Sequence, residues 1–257
     1  DRIFSESPVL IATHCEQEET IKANMAEYTE KYGAEIPFEM HYRIRSKEAC
    51  IECTKRALEL AVEHGTKLHI LHISTAEEIE LIKEAREKNP QILGEVCVHY
   101  MWFNSNDYPK YGSHMKCNPA IKTEDDMLAI RKAVKEGTIS VVATDHAPHS
   151  AEEKAKGLSG SAFGIVGIET AFPVLYTHLV KPGIIPLEKL IALLTVNPRE
   201  RFGIPMGQDY TVWNLNTEFT VDPKDFISMG KATPFTGWKL NGECMLTICD
   251  GSVVYKK

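Results

Sequence analysis

ISVVATDHAPHS, residues 139–150, is the stretch of sequence that decides the fold. It begins as a continuous run of small and β-branched residues, which is typical of a strand covered on both faces of a sheet. The run ends abruptly in Asp145, His146 and His149. A carboxylate and two imidazoles directly after a buried strand indicate a ligand or metal site at the end of that strand.

Four apolar segments of this kind predict short buried strands, namely PVLIATHCE (8–16), KLHILHIS (67–74), GEVCVHY (94–100) and TISVVATDH (138–146). Helical patterns separate them over residues 18–33 and 46–65, and Thr75 and Thr123 each open a capping box that begins a further helix. Pro186 stands where a first-turn proline is expected. Strands that alternate with helices predict βαβ units and therefore an α/β fold with a parallel sheet.

The pattern changes after about residue 205. The apolar segments beyond it are short and separated by turn residues, and they are YTVWNL, EFTV, MLTICDG and SVVYKK. Short strands between turns predict a small β subdomain. We therefore expect an α/β part over residues 1–205 and a β subdomain segment over residues 206–257.

Three of the four predicted strands end in a metal-ligating residue type, at His14, His72 and Asp145. Because the carboxyl ends of parallel strands lie at one edge of the sheet, these side chains are expected on one rim. Imidazole nitrogen and carboxylate oxygen are the ligands of zinc when it also activates water. A single histidine at a strand end is more often an ordinary hydrogen-bonded residue, but three ligands at equivalent positions favour a metal site.

The composition argues against several classes of partner. The chain has 257 residues and a formal net charge of −7 without a basic tract, which speaks against a nucleic-acid or anionic-membrane partner. It contains no apolar run of about 18 residues, so no transmembrane helix is expected. Seven cysteines at irregular spacing predict the reduced thiols of a cytoplasmic protein and not a disulfide framework.

These segments resemble the cyclic amidohydrolases of the amidohydrolase superfamily, and most closely the dihydroorotase group. TDHAPH (144–149) is similar to the motif at that group's last barrel strand, and LHIS (71–74) and THCE (13–16) are similar to its sixth and fifth strand ends. KCNPAIKTEDD (116–126) is similar to its substrate-binding segment, and TPFTGWKLNGECMLTICDGSVVY (233–255) to its closing β segment. The resemblance therefore extends over nearly the whole chain.

The resemblance implies a (β/α)₈ TIM barrel with a flanking β domain and two zinc ions, bridged by hydroxide, at the barrel mouth. It implies that His14 and His72 bind the second zinc. Asp145 would bind the first zinc and carry the proton as the catalytic residue, and Asn118 and His149 would hold the substrate carboxylate. The implied reaction is the reversible hydrolysis of dihydroorotate to N-carbamoyl-aspartate in pyrimidine biosynthesis.

Plainer interpretations of several of these residues stay open. Asn118 also fits a simple turn, and His149 could cap a loop. His146 could support the site without touching substrate. His99 ends the third strand on the same rim, where a role behind the ligands is more expected than ligation. His69 is expected to point to the opposite face of its strand and to serve packing.

Two features of the family are absent from the sequence. The family's first strand carries His-x-His, and no two of the ten histidines here are two positions apart. No predicted strand precedes the one that ends in His14, so the metal-bridging lysine or aspartate of the family's fourth strand has no counterpart. We therefore expect the second half of a barrel, strands five to eight, followed by part of the β subdomain, and we expect this segment alone to be inactive.

Two alternative functions stay open. One is a related cyclic amidohydrolase, such as a dihydropyrimidinase, hydantoinase or allantoinase. The other is a non-catalytic, dihydroorotase-like scaffold for aspartate transcarbamoylase, although the presence of His14, His72 and Asp145 argues against it. The resemblance implies a small-molecule substrate and a homo-oligomer, with aspartate transcarbamoylase as a further partner to consider.

Overall fold

Four short parallel strands and three antiparallel strands form the two sheets of the molecule. The computed structural model describes residues 1–257. The strands are β1 (Ile11–Thr13), β2 (Leu68–Ile70), β3 (Ile92–Cys97), β4 (Val141–Ala143), β5 (Tyr210–Thr220), β6 (Lys239–Cys249) and β7 (Ser252–Lys256). The parallel sheet has the order β1-β2-β3-β4, and the antiparallel sheet has the order β5-β6-β7. The predicted α/β fold with a parallel sheet is confirmed.

Helices connect the parallel strands and precede the antiparallel sheet. They are α1 (Arg2–Glu6), α2 (Glu18–Tyr32), α3 (His41–Ile44), α4 (Lys47–His64), α5 (Ala76–Lys88), α6 (Tyr108–Tyr111), α7 (Glu124–Glu136), α8 (Ala151–Lys154), α9 (Ala171–Leu175), α10 (Leu187–Ile191) and α11 (Asn197–Phe202). Two π-helical segments, Tyr176–Val180 and Ala192–Val196, continue α9 and α10. None of the helices combines the length and the apolar character needed to cross a bilayer.

The helices between the parallel strands begin and end close to the predicted residues. α4 follows Ser46, whose side chain accepts a backbone hydrogen bond, and it ends at Gly65 in the left-handed conformation. Thr75 and Thr123 both form complete capping boxes. The prediction for Pro186 is wrong, because this residue is the extended N-cap of α10, with ψ of 160°, and lies outside the first turn.

Two predictions about strands are also wrong. YTVWNL and EFTV do not form separate strands, because both belong to β5, whose pairing with β6 shifts register after Val212 and after Asn214. Such shifts interrupt the apolar alternation without ending a strand. The first predicted strand is not buried, since Ala12 of β1 is exposed. β1 lies at the edge of the four-stranded sheet, where only β2 pairs with it.

The chain forms two compact units. The first contains residues 1–167 and 228–234 and includes the parallel sheet, and the second contains residues 168–227 and 235–257 and includes the antiparallel sheet. Residues 168–205, which the sequence assigns to the α/β part, lie in the second unit. The division into domains at residue 205 stays a prediction.

The core of the first unit lies around β2, β3 and the helices that follow them. Every residue of β2 is buried, as the continuous apolar sequence predicts. Gly94 of β3 has no room for a side chain, because a Cβ there would lie 2.5 Å from Ile73 Cδ1, 3.2 Å from Ile82 Cδ1 and 3.2 Å from Ile70 O. The absence of a side chain at Gly94 therefore lets Ile82 of α5 pack directly on the sheet.

Replacing Gly94 with alanine should lower the free energy of unfolding by about 1–3 kcal/mol, because the added methyl group overpacks the contact between β3 and α5. Urea denaturation of the purified protein measures this change. Gly157→Ala is the matched control, since no atom lies within 4 Å of a Cβ at that position. Equal stability changes for the two variants would contradict the packing assigned to Gly94.

Candidate active site

The carboxyl ends of the parallel strands bring two of the predicted ligands into contact. His14 directly follows β1, and His72 lies two residues beyond the end of β2. Because β1 and β2 are neighbours, the two imidazoles meet, with His14 Nδ1 2.9 Å from His72 Nε2. Their ring centroids are 4.7 Å apart and the ring planes are inclined by 77°.

Asp145 does not join this pair directly. It follows β4, which is separated from β2 by β3, and neighbouring strands lie about 4.8 Å apart. The charge of Asp145 still favours the protonated form of His72. However, no group of three or more His, Cys, Asp or Glu side chains encloses a space for a metal ion. The structure therefore brings His14 and His72 together without Asp145, and the three-residue ligand set stays a prediction.

Two of the predicted ligands have an unusual backbone conformation. His72 has φ of 38° and Asp145 has φ of 44°, both in the left-handed region that residues other than glycine rarely adopt. Such conformations persist only where the surrounding structure holds them, and they are concentrated at functional sites. The strain at both strand ends therefore marks this edge as a candidate active site.

A carboxylate that the sequence analysis does not single out orients His14. The side chain of Glu16 is buried, and its Oε2 lies 3.0 Å from His14 Nε2 and 2.5 Å from Arg45 Nη1. Burial alone would raise the pKa of Glu16, but the hydrogen bond from His14 and the charge of Arg45 hold it below its ordinary value. The ionised carboxylate only accepts hydrogen bonds, so His14 Nε2 carries the proton and its Nδ1 faces His72.

The two imidazoles fit a zinc ion in their chemistry, and binding of zinc would move their facing nitrogens slightly apart. Two nitrogens bound to one tetrahedral zinc at about 2.0–2.1 Å lie roughly 3.4 Å apart, and here His14 Nδ1 and His72 Nε2 are 2.9 Å apart. Burial, followed by the neighbouring His14, lowers the pKa of His72 and keeps it neutral, as a metal ligand must be. His72 Nδ1 and Glu16 Oε1 are buried without a hydrogen-bond partner, so this edge has polar atoms that a ligand would satisfy.

His99 occupies the strand end between His72 and Asp145. Cys97 of β3 pairs with Ala143 of β4, and His99 and Asp145 each follow two residues later. His99 is buried, its Nε2 has no hydrogen-bond partner, and burial lowers its pKa to about 3. A neutral imidazole thus stands at the strand between the two predicted ligands.

The other histidines of these strand ends have partners in the protein. His69 is buried as predicted, but it also pairs with a carboxylate, since its Nε2 lies 3.1 Å from Glu95 Oε2. His146 Nδ1 accepts from the Gly167 amide at 3.3 Å, and its Nε2 lies 3.3 Å from Ser228 Oγ. These contacts hold His146 within the first unit and are consistent with a supporting role.

The two residues predicted to hold a substrate carboxylate have different surroundings. Asn118 has a buried Oδ1 without a hydrogen-bond partner, and its peptide bond to Pro119 is cis. His149 Nε2 donates to Phe163 O at 2.8 Å, and its Nδ1 lies 3.7 Å from Glu153 Oε2. Both ring nitrogens of His149 therefore face protein groups, and a substrate carboxylate would have to replace Glu153 beside Nδ1.

His41 is a buried imidazole beside the Asn118 segment, and no sequence pattern singles it out. Its Nε2 donates to Cys117 O at 2.9 Å. Burial lowers the pKa of His41 to about 3, and the charges of Lys116 and Arg45 act in the same direction. His41 is therefore neutral wherever the protein is folded at ordinary pH.

The sequence as a whole is similar to those of known enzymes. The sequence profile of the amidohydrolase family matches residues 5–254. The dihydroorotase of Brevibacillus brevis is 38% identical over 262 residues, which cover 98% of this chain and 60% of that protein. The dihydroorotase of Geobacillus sp. strain WCH70 is 38% identical over 257 residues, which cover 96% of this chain and 58% of that protein. The chain thus spans about 60% of the length of the curated relatives it matches.

Solved structures show the same fold. The L-hydantoinase (dihydropyrimidinase) of Arthrobacter aurescens matches with a TM-score of 0.91 and 26% identity, covering 99% of this chain and 59% of that chain. The D-hydantoinase of Bacillus sp. AR9 matches with a TM-score of 0.88 and 23% identity, covering 96% of this chain and 57% of that chain. At this low identity the D-hydantoinase supports the fold alone.

Acid should destabilise the protein through His41. The folded protein keeps this imidazole neutral down to pH about 3, whereas the unfolded chain protonates it near pH 6.5. The free energy of unfolding should therefore fall as pH decreases from about 6.5, by up to about 1.4 kcal/mol per pH unit for this group. His99 adds a similar contribution, because burial lowers its pKa to about 3 as well.

Denaturation curves between pH 7 and pH 4 measure this dependence. His41→Gln should reduce the slope, because the amide can still donate to Cys117 O but cannot take up a proton. A slope that His41→Gln leaves unchanged would show that His41 does not titrate as its burial requires.

Proposed function

We propose, because the chain belongs to the amidohydrolase family, that its parallel strand ends form part of the active site of a zinc-dependent dihydroorotase. The proposed reaction is the reversible hydrolysis of the cyclic amide of dihydroorotate to N-carbamoyl-aspartate. The observation that carries the proposal is the pair His14 and His72, whose ring nitrogens face each other at 2.9 Å at the carboxyl ends of adjacent strands.

His14 and His72 are the residues that would hold the metal. A bound zinc would lower the pKa of water from 15.7 to about 7 and polarise the ring carbonyl. Glu16 supports this role, because it accepts a hydrogen bond from His14 Nε2, which fixes the ring and leaves Nδ1 as the nitrogen that would bind the metal. A catalytic zinc takes about three protein ligands, so two imidazoles alone would leave residues 1–257 inactive by themselves.

Asp145 is the proposed proton carrier. An ionised carboxylate at this strand end would accept a proton from the attacking water. The same carboxyl group would then return the proton to the amide nitrogen as the ring opens, so the reaction needs no further acid. The left-handed backbone at Asp145, with φ of 44°, ends the extended path of β4.

Asn118 and His149 are the proposed ligands of the substrate carboxylate. Asn118 would donate to the carboxylate from its Nδ2 amino group, and its buried Oδ1 has no hydrogen-bond partner in the structure. His149 Nε2–H donates to the Phe163 carbonyl, so its Nδ1 would have to carry a second proton, as in an imidazolium, to donate to the substrate carboxylate. Because the substrate carboxylate is negatively charged, hydrogen-bond donors would bind it better than an apolar pocket would.

Hydrolysis of a hydantoin or dihydropyrimidine is the second candidate function. The L-hydantoinase of Arthrobacter aurescens shares this fold with a TM-score of 0.91, which favours a common scaffold for related cyclic amides. The higher identity to the Brevibacillus brevis dihydroorotase, 38% against 26%, favours dihydroorotate. Turnover of the two kinds of substrate distinguishes the candidates.

The purified full-length protein should hydrolyse dihydroorotate with a higher kcat/KM than dihydrouracil, hydantoin or allantoin. Asp145→Asn should then lower kcat by about 10²- to 10⁴-fold, because the amide cannot take up and return the proton. Steady-state rates with the four substrates measure both effects.

Asp250→Asn is the matched control, since Asp250 also has a left-handed backbone, with φ of 48°, but lies in the turn between β6 and β7. Asparagine tolerates this conformation, so D250N should keep the activity of the unmodified protein. Faster turnover of hydantoin would favour the second candidate, and full activity of D145N would remove Asp145 from the reaction.

His72→Asn should lower the zinc content of the full-length protein by about one ion per chain, because a first ligand of the metal is lost. Elemental analysis after dialysis measures the content independently of activity. His64→Asn, outside the strand ends, should retain the zinc of the unmodified protein. Zinc content that is unaffected by H72N would show that this imidazole is not a metal ligand.

A further inference from the structure

Lys116 and Lys154 have buried ammonium groups without a carboxylate beside them. The two side chains belong to residues that are 1% and 2% exposed. Burying a charge is unfavourable unless it is paired or fully hydrogen-bonded, and buried lysines are therefore rare. Neither lysine takes part in an ion pair, so backbone or aromatic groups must replace the solvent lost on burial.

The ammonium groups are satisfied by one short loop, residues 158–164. Lys116 Nζ donates to Leu158 O at 2.5 Å and to Ser161 O, and it lies 3.9 Å from the centroid of the Phe163 ring. An ammonium group has three N–H donors, and two carbonyls together with the ring face account for all three. Lys116 is thus held almost entirely by the loop.

Lys154, at the end of α8, binds the same loop from another direction. Its Nζ donates to Gly164 O at 2.8 Å, to Ala162 O at 3.0 Å and to Lys116 O at 3.3 Å. These three carbonyls again match the three donors of the ammonium group. Carbonyl groups of the loop thus bind both ammonium groups, and Lys116 O completes the set around Lys154.

The loop is also the partner of His149. Phe163 O accepts the hydrogen bond from His149 Nε2 at 2.8 Å, and the Gly164 amide donates to Lys116 O at 2.8 Å. Gly164 has φ of 147°, and a Cβ there would collide with Ala147 O and lie 3.1 Å from His149 Cδ2. Phe163 and Gly164 thus contact both lysines and His149 within two consecutive residues.

We propose that Lys116 and Lys154 are positioning residues: their ammonium groups hold loop 158–164 in the conformation that presents the Phe163 carbonyl to His149, and so fix the tautomer and direction of that imidazole. The consequence for substrate binding rests on the proposed function, in which His149 meets the substrate carboxylate. The effect on the loop and on the imidazole does not depend on it.

The charge state of the lysines is consistent with this role. Burial lowers the pKa of both lysines to about 8, and the charges of Lys154 and Arg45 contribute to the shift at Lys116. Both groups therefore remain mostly protonated at neutral pH. Apolar residues of similar size often replace buried charges without loss of stability, so two buried ammonium groups that use all of their donors point to a task that needs those donors.

Lys116→Met and Lys154→Met test the proposal in the purified full-length protein. Each variant removes the donors and keeps most of the side-chain volume. Hydrogen exchange at the Gly164 amide should become at least about tenfold faster, because the loop opens more often. The ¹⁵N signals of the His149 ring should change from a single Nε2–H form to a mixture of tautomers. A loss of stability away from the loop would not produce this change.

Lys122→Met is the matched control. Lys122 is also buried, but its Nζ donates to Ala120 O at 2.8 Å and does not contact the loop. K122M should leave the Gly164 exchange rate and the His149 signals unchanged. Should either methionine variant fail to fold, Lys154→Gln keeps part of the donor set and should give an intermediate change. Folded variants with the exchange rate and tautomer of the unmodified protein would overturn the proposal.

Kinetics separate this inference from the proposed function. K116M and K154M should raise KM for dihydroorotate by about tenfold or more and change kcat by less than about threefold, since the proton transfer at Asp145 is not affected. A changed tautomer with an unchanged KM would support the positioning role and would show that His149 does not bind the substrate carboxylate.

Discussion

Parallel pairing of four short strands is the constraint on which the rest of the site depends. The pairing collects the carboxyl ends of β1 to β4 at one edge and separates neighbouring ends by about 4.8 Å. Adjacent strands therefore bring His14 and His72 to 2.9 Å. Asp145 is two strands from His72, with His99 at the strand end between them. The order of strands thus decides which side chains can share a ligand directly.

The electrostatic surroundings differ along this edge. Ionised Glu16 bonds to His14, so the imidazole nitrogen that faces His72 is the better donor to a cation. Two ammonium groups, by contrast, hold the loop that contacts His149. Positive charge behind an imidazole favours an anionic ligand on its other side. The proposed reaction would use these two surroundings differently, with a metal ion at His14 and His72 and a substrate carboxylate at His149.

The sequence predicts the features that depend on local pattern. The capping boxes at Thr75 and Thr123, the parallel strands and the strand-end positions of the candidate ligands all follow from short segments. β5 could not be predicted as one strand, because its register shifts interrupt the alternation. The contact between Glu16 and Arg45 joins residues that are far apart in sequence, so no local pattern predicts it. The only local indication is an acidic residue two positions after His14.

Tertiary contacts also couple Asn118 and His149, the two residues predicted to bind the substrate carboxylate. Lys116 lies two residues before Asn118, and Lys154 ends the helix that follows His149. Both lysines donate to the loop of residues 158–164, and the Gly164 amide returns a hydrogen bond to Lys116 O. A displacement of this loop would therefore change the contacts of both the Asn118 segment and the His149 segment. Residues far apart in sequence act as one binding element because two long, charged side chains share a single set of backbone carbonyls.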